Sequence, residues 1–218
     1  MEQKILTTQQ KKALLFFSQS KIAKKFYFSG GTALAEYHLY HRLSDDLDFF
    51  TPNDVDLQSV RIFVNNLKDE LGGKSVEYTK THDRHLFFLK FEKSDLKLEF
   101  TKYPFARLSR RIRRDGITVD SLRDLSANKF VALLDRFDPK DFVDLYFILK
   151  KRTLKTVRAD AQKKFKTKFD PLFIAAEFAK VRRVVALPHM VKPITKEQLK
   201  TFFEKQIKEI GGGFVVSE

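Results

Sequence analysis

The stretch Phe28–Phe50, FSGGTALAEYHLYHRLSDDLDFF, contains two carboxylates whose spacing suggests metal chemistry. Asp46 and Asp48 stand two positions apart in a strand-like run, so both project from one face while Leu47 points to the other. Two like charges side by side are unfavourable unless a cation lies between them. Carboxylates on a rigid strand suit Mg²⁺, which also takes phosphate oxygens. The pair predicts a magnesium site, and an exposed, aspartate-rich turn is the alternative.

A glycine pair precedes these aspartates, between a short β-prone run and the start of a helix. Without side chains at Gly30 and Gly31, the backbone can approach a phosphate closely, with free amides and the positive end of the helix dipole facing the anion. Thr32 adds a hydroxyl donor or caps the helix. We therefore expect these three residues to bind a triphosphate, with a plain turn as the alternative.

A third carboxylate is expected from a neighbouring strand. Glu99 is the best candidate, because an acid flanked by apolar residues on a strand is costly unless it has a use. Its competitor is Glu92, and an ordinary solvent-facing strand position is the alternative for Glu99. In the predicted site Glu99 acts as a metal ligand or as the general base.

Three further charged positions lie in predicted helices of the second half. Asp141 and Asp144 are three residues apart, on one helix face, and Lys129 lies on the preceding helix. If this helix pair folds over the cleft, Lys129 can meet triphosphate oxygens as a point charge, and Asp144 can orient Lys129 or Arg136. The alternative is an ion-pair network that clamps the two helices together.

The combination of a Gly-Gly-Thr helix start with an acidic-apolar-acidic strand resembles the DNA polymerase β-like minimal nucleotidyltransferase superfamily. More narrowly, GGTALAEYHLYHRLSDDLDFF resembles the AbiEii/AbiGii toxin family of abortive-infection toxin–antitoxin systems. That family's motif reads Gly-Gly-Thr, then Arg-Ser/Thr-x-Asp-x-Asp, and here Arg42 stands two residues before Ser44. Fourteen residues separate Gly31 from Asp46, which predicts an extended helix or turn between them. Lys129 and Asp141-Phe-Val-Asp144 match the downstream motifs, so the resemblance spans about residues 26–150.

This resemblance implies a nucleotidyltransferase with an NTP as substrate and two Mg²⁺ ions held by Asp46, Asp48 and Glu99. It adds Ser44 and Lys129 to the expected nucleotide-binding residues. It also implies toxin activity, with tRNA or another RNA as a plausible acceptor and a cognate antitoxin as a possible partner. The alternatives are transfer to a hydroxyl of a protein side chain, and a non-catalytic RNA-binding module that keeps the fold.

The elements that must position these residues follow from hydrophobic periodicity and from turn and capping signals. The predicted strands cover 26–28, 47–50, 75–79, 85–91 and 96–103. The predicted helices cover 8–25, 32–39, 55–71, 121–137, 139–150 and 171–183, with a last helix from 196. The predicted fold is α+β, of the α/β-type nucleotidyltransferase kind: a mixed sheet with flanking helices, followed by a C-terminal helical bundle. We expect a catalytic domain over 1–104 and a basic helical domain over 105–218.

Charge is distributed unevenly over the 218 residues, whose formal net charge is +14. Residues 1–104 contain 16 Lys and Arg against 14 Asp and Glu, whereas residues 105–218 contain 26 against 14. This asymmetry predicts that the C-terminal half, especially Arg110–Arg114 and 150–168, holds RNA by its phosphates. A general lysine-rich composition is the alternative.

The composition also excludes several classes of protein. The chain has no cysteine, which rules out disulfides, thiolate zinc sites and a cysteine nucleophile. It has no membrane-spanning run and no signal-peptide pattern, so we expect a cytoplasmic protein without a membrane partner.

Overall fold

The computed structural model describes residues 4–212 and divides the chain into two compact units. The first unit comprises Met1–Phe105 with Arg110–Ser121, and the second comprises Ala106–Ser109 with Leu122–Glu218. The predicted domains 1–104 and 105–218 therefore differ from these units chiefly in residues 110–121. Among the described residues, no helix combines the length and the apolar character needed to cross a lipid bilayer.

A mixed β-sheet forms the centre of the first unit. Its seven strands within the described residues are β1 Tyr27–Ser29, β2 Leu47–Thr51, β3 Ser75–Thr81, β4 Arg84–Lys90, β5 Asp95–Lys102, β6 Ile112–Arg114 and β7 Ile117–Val119. Their order in the sheet is β3-β4-β5-β2-β1-β7-β6. β2 runs parallel to β5 and β1 runs parallel to β7, while the other neighbouring pairs are antiparallel.

Three helical segments accompany this sheet. Helix α1 (Thr8–Gln19) opens with a capping box and is followed by a 3₁₀ turn at Lys21–Lys24, so the helix predicted over 8–25 is interrupted. Helix α2 (Gly30–Leu34) continues as a π-helical turn over Ala35–Leu39. The spacing between Gly31 and Asp46 predicts a lengthened helix or turn, and the π-helical turn lengthens this helix. Helix α3 (Leu57–Leu71) ends at Gly72 in the left-handed conformation.

The core of the first unit lies on one face of the sheet. Leu47 and Phe49 of β2 are in register with Leu98 and Phe100 of β5, and all four are buried. Phe17 of α1 packs on Phe49, with 4.1 Å between the ring centroids. Because side chains alternate across a strand, the residues between these apolar positions lie on the opposite face.

The second unit is helical within the described residues. Its helices are α4 Leu122–Asp135, α5 Pro139–Leu149, α6 Leu154–Phe165, α7 Pro171–Ala179 and α8 Lys196–Gly212. Asp138 and Asp170 cap α5 and α7, each with proline in the first turn, as predicted. Thr195 and Gln198 exchange the backbone-to-side-chain hydrogen bonds of a capping box at the start of α8.

The prediction that everything after Pro104 is helical was wrong. β6 and β7 form a hairpin around Asp115 and Gly116, which have φ values of 49° and 77°. An Asp-Gly pair with two positive φ angles is a tight hairpin turn, a signal that the helical interpretation overlooked. β7 joins the sheet by pairing Val119 with Phe28 of β1. This contact is distant in the sequence, and strands of three residues are too short for it to be predicted from their pattern. Helix α6, inside the basic stretch 150–168, was also missed.

The second unit contains a buried ion pair whose loss should be costly. Lys164 Nζ lies 2.8 Å from Asp124 Oδ1, and their side chains are 3% and 1% exposed. Substituting Lys164→Ala leaves a buried charge without this cation, so we expect the free energy of unfolding to fall by about 3–5 kcal/mol. Urea unfolding followed by far-UV circular dichroism measures this change.

Lys163→Ala is the matched control, because Lys163 is the exposed neighbour on the same helix. We expect it to change stability by less than about 0.5 kcal/mol. Equal effects of the two substitutions would contradict a structural role for the pair.

Candidate active site

The face of the sheet opposite the core brings the predicted carboxylates together. Asp48 on β2 is in register with Glu99 on β5 and with Ser29 on β1. Asp46 precedes Asp48 by two residues and lies just before the start of β2. The strand period and the parallel β2–β5 pairing thus place Glu99, rather than its competitor Glu92, beside Asp48.

The glycine pair packs directly against this acidic face. Gly30 has a φ of 74°, and a Cβ atom added there would lie 1.9 Å from Oδ2 of Asp48. A Cβ atom at Gly31 would lie 2.8 Å from Nη2 of Arg42 and 3.2 Å from Oγ of Ser44. Gly30 is therefore required by close approach and by its backbone conformation, whereas a side chain at Gly31 would have to displace the ends of the Arg42 and Ser44 side chains.

The loop before β2 is held in place by two buried polar side chains. The Thr32 hydroxyl donates a hydrogen bond to the backbone carbonyl of Asp46. Gln10 Nε2 donates to the carbonyls of Ser44 and Asp45 at 2.8 and 2.9 Å. Thr32 thus positions an aspartate, and a direct contact between its hydroxyl and a nucleotide stays a prediction. Gln10 was not predicted to support the site, because in the sequence it is fully explained as the third residue of α1, where it completes the capping box.

Two cations that sequence reasoning also missed lie among the carboxylates. Lys97 Nζ is 2.7 Å from Asp46 Oδ2. Arg84 Nε and Nη2 donate to the two carboxylate oxygens of Glu99 at 2.7 and 2.6 Å. Lys97 precedes Glu99 by two residues in an alternating strand, so the period of two could have predicted that they share a face. Arg84 could not be placed without knowing the strand pairing.

The environment of Arg84 favours its charged form. The hydrogen bonds with Glu99 raise the pKa of the Arg84 guanidinium above its ordinary value, and partial burial lowers it by a smaller amount. The charges of Asp48 and Asp46 add to the increase. Arg84 is thus a permanent cation beside the acidic residues.

Asp46 and Asp48 fit Mg²⁺ because both offer carboxylate oxygens. Asp48 lies in the rigid strand β2, and Asp46 lies just before it. Glu99 fits less well as a third ligand. Its two oxygens accept hydrogen bonds from Arg84, and one of them also accepts from the Thr101 hydroxyl at 2.7 Å. Among the described residues, no group of three or more His, Cys, Asp or Glu side chains is arranged to hold a metal ion. Glu99 as a metal ligand, and two ions at the site, stay predictions.

Lys129, Asp141 and Asp144 form an ion-pair network between α4 and α5 in the second unit. Lys129 Nζ lies 2.8 Å from Asp141 Oδ1 and 2.7 Å from Asp144 Oδ2. Arg136 Nε lies 2.9 Å from Asp141 Oδ2. Both aspartate side chains are fully buried, so this is the structural network that the sequence offered as an alternative. Catalytic or nucleotide-binding roles for Lys129 and Asp144 stay predictions.

The basic run Arg110–Arg114 belongs to the first unit, where its last three residues form β6. The Arg111 guanidinium lies over the Tyr27 ring, 3.4 Å from its centroid, and is thus packed into the structure. Residues 110–121 contain four arginines and two aspartates. Counting them with the first unit changes the net charges of the two parts from +2 and +12 to +4 and +10.

A mixed sheet that carries paired aspartates beside a Gly-Gly helix start is the active-site architecture of nucleotidyltransferases. The model of the nucleotidyl transferase AbiEii toxin family, of type IV toxin–antitoxin systems, matches residues 13–211. The chain therefore belongs to the AbiEii family and is a nucleotidyltransferase toxin. The predicted resemblance is confirmed, and the match extends well beyond residue 150, where the motifs recognisable in the sequence ended.

Individual proteins are similar over nearly the whole chain. An uncharacterized protein of Aquifex aeolicus strain VF5 is 29% identical over 210 residues, which are 94% of this chain and 97% of that protein. MenT4, a nucleotidyltransferase toxin of Mycobacterium tuberculosis H37Rv, has a TM-score of 0.55 at 17% identity, covering 94% of this chain and 86% of its own. JHP933 of Helicobacter pylori has a TM-score of 0.54 at 16% identity, covering 94% and 93%. The two structures support the predicted fold.

The contacts of Gly30 predict a large effect of adding one methyl group. Gly30→Ala introduces both a strained φ and a clash with the Asp48 carboxylate, so we expect the free energy of unfolding to fall by about 2–5 kcal/mol. Thermal and urea unfolding measure this loss.

Gly72→Ala separates the two causes, because Gly72 has a φ of 70° but no atom within 4 Å of an added Cβ. This variant carries the backbone strain alone and should lose about 1–2 kcal/mol. If Gly30→Ala were no more destabilising than Gly72→Ala, the close approach to Asp48 would be refuted.

Proposed function

We propose that this toxin transfers a nucleotide from an NTP to a hydroxyl group of an RNA, with tRNA as the candidate acceptor, in a magnesium-dependent reaction. The observation that carries the proposal is the packing of Gly30 against Asp48, with Asp46 and Glu99 on the same face. This packing puts carboxylates suited to Mg²⁺ next to a helix start whose amides can face a phosphate, and a plain turn would not bring the two together.

In the proposed reaction the acceptor oxygen attacks the α-phosphorus, the bond to pyrophosphate breaks and the hydroxyl proton leaves. Mg²⁺ bound by Asp46 and Asp48 would neutralise charge on the triphosphate and favour ionisation of the hydroxyl. Both Glu99 oxygens already accept hydrogen bonds from Arg84, so we assign acceptance of the proton to Asp48, a carboxylate on the same face of the sheet. The helix start at Gly30 and Gly31 would offer backbone amides to the phosphates, and the Ser44 hydroxyl lies beside Gly31.

The acceptor is proposed from the charge of the second unit. A groove there is lined by the α5–α6 connection and the first turn of α6, together with Phe202, Gln206 and Glu209 of α8. Its cations are Lys150, Lys151, Arg152 and Lys155. Lys150 Nζ lies 5.0 Å from the Tyr146 ring centroid and 5.5 Å from that of Phe202. Cations interleaved with aromatic rings suit the phosphates and bases of a single-stranded RNA end.

A transfer assay tests the reaction with labelled NTPs, Mg²⁺ and total tRNA. We expect label in RNA with the unaltered protein, and a loss of at least about 100-fold in the Asp46→Asn/Asp48→Asn variant, because these carboxylates supply the charge neutralisation. Asp95→Asn, which removes an exposed acid of the same sheet, is the control and should retain activity.

The outcomes separate the alternatives. Label that migrates with protein would replace RNA by a protein side chain as the acceptor. RNA binding without any label transfer would favour a non-catalytic module. Incorporation that survives the double substitution would refute the assigned carboxylates.

The groove in the second unit is tested by the salt dependence of RNA binding. Lys150→Ala/Lys155→Ala removes two phosphate-contacting cations, so the slope of log affinity against log salt should fall by about 1.4. Fluorescence anisotropy with labelled tRNA measures the slope. Lys11→Ala/Lys12→Ala, on the exposed side of α1, removes the same charge and should leave the slope unchanged if the groove is the binding surface. Equal changes in both variants would indicate only a general effect of net charge.

A further inference from the structure

Arg84 is held in a fixed orientation at the start of β4. Its Nε and Nη2 atoms form a bidentate pair with the Glu99 carboxylate, at 2.7 and 2.6 Å. Within residues 4–212, its Nη1 atom has no hydrogen-bond acceptor, and 46% of the side chain is exposed. The guanidinium thus keeps donors available to a molecule outside the protein.

Glu99 has the properties of an anchor for this arginine. Its side chain is 4% exposed, and the bonds from Arg84 and Thr101 occupy three of about four lone-pair sites on its oxygens. A metal ligand must turn lone pairs toward the ion, and Glu99 has most of them committed. Losing the bond to Arg84 would leave a buried charge uncompensated, which makes the pair costly to open.

Charge on this face favours an anion as the partner of Arg84. The carboxylates of Asp46, Asp48 and Glu99 are accompanied by Arg84 and Lys97, and a divalent cation at the aspartates would bring the balance to positive. A triphosphate carries several negative charges and offers paired oxygens, which match the planar fork of a guanidinium.

We propose that Arg84 binds phosphate oxygens of the nucleotide and that Glu99 is the positioning residue that holds it, instead of a metal ligand. This assignment rests on the proposed function, because it assumes that an NTP occupies the face that carries Asp46 and Asp48.

Separate measurements of nucleotide and metal binding test the assignment. Non-hydrolysable analogues of the four NTPs, added with saturating Mg²⁺, report nucleotide binding by calorimetry, and Mn²⁺ without nucleotide reports metal binding by electron paramagnetic resonance. We expect Arg84→Met to weaken binding of the preferred analogue about tenfold or more. Glu99→Gln should weaken it to a similar extent, and the double variant should be no worse than Arg84→Met alone, because the two residues act as one unit.

Mn²⁺ binding distinguishes an anchor from a ligand. If Glu99 positions Arg84, Glu99→Gln should change Mn²⁺ affinity by less than about threefold, whereas Asp48→Asn should abolish it. Arg84→Lys should recover only part of the nucleotide affinity, since an ammonium cannot form the bidentate pair. This milder variant also provides the test if Arg84→Met does not fold, as checked by thermal unfolding.

Lys90→Met is the matched control. Lys90 lies at the other end of β4 and pairs with Asp95 at 2.6 Å and Glu77 at 3.3 Å, so its loss removes an equal charge from the same strand. Nucleotide affinity should be unchanged in this variant. Unchanged affinity in Arg84→Met, or loss of Mn²⁺ binding in Glu99→Gln, would overturn the assignment while leaving the proposed function intact. Failure of the unaltered protein to bind either probe would instead refute the proposed function, and with it this assignment.

Discussion

The parallel pairing of β2 with β5 is the constraint on which the active site depends. Its register places Phe49 against Phe100 on the core face and Asp48 against Glu99 on the other. Because the side-chain period is two, a slip of one residue would bury the acids and expose the phenylalanines. The energy of burying the aromatic core therefore also fixes the position of the carboxylates.

The face of the sheet that carries Asp46, Asp48 and Glu99 also contains cations that reduce the repulsion between these carboxylates. Carboxylates gathered on one surface repel each other, and the structure offsets this repulsion with Lys97 from β5 and Arg84 from β4. These cations pair with Glu99 and Asp46, and Asp48 packs against the backbone of Gly30. Arg84 and Lys97 thus offset part of the negative charge of this face from within the protein.

Much of this arrangement was predictable because its signals are local. The Asp138 and Thr195 caps, the stop at Gly72 and the alternation around Asp48 each depend on residues within a few positions of one another. The hairpin that carries β6 and β7 was missed, although Asp115 and Gly116 are a local turn signal, because strands of three residues have no readable period. Helix α6 was missed because its sequence is densely charged and contains few large apolar residues, and its packing partner in the second unit is α4.

The sequence by itself determined that two aspartates share a strand face beside a glycine pair, because alternation and glycine chemistry act within a single segment. It also carried the family's motifs, which identify the chain as a nucleotidyltransferase toxin. Only the tertiary structure decided which partners these residues meet: Glu99 faces Arg84, and Lys129 is clamped by Asp141 and Asp144. Such pairings join positions that are 12 to 15 residues apart, and they depend on strand register and helix packing, which no single segment specifies.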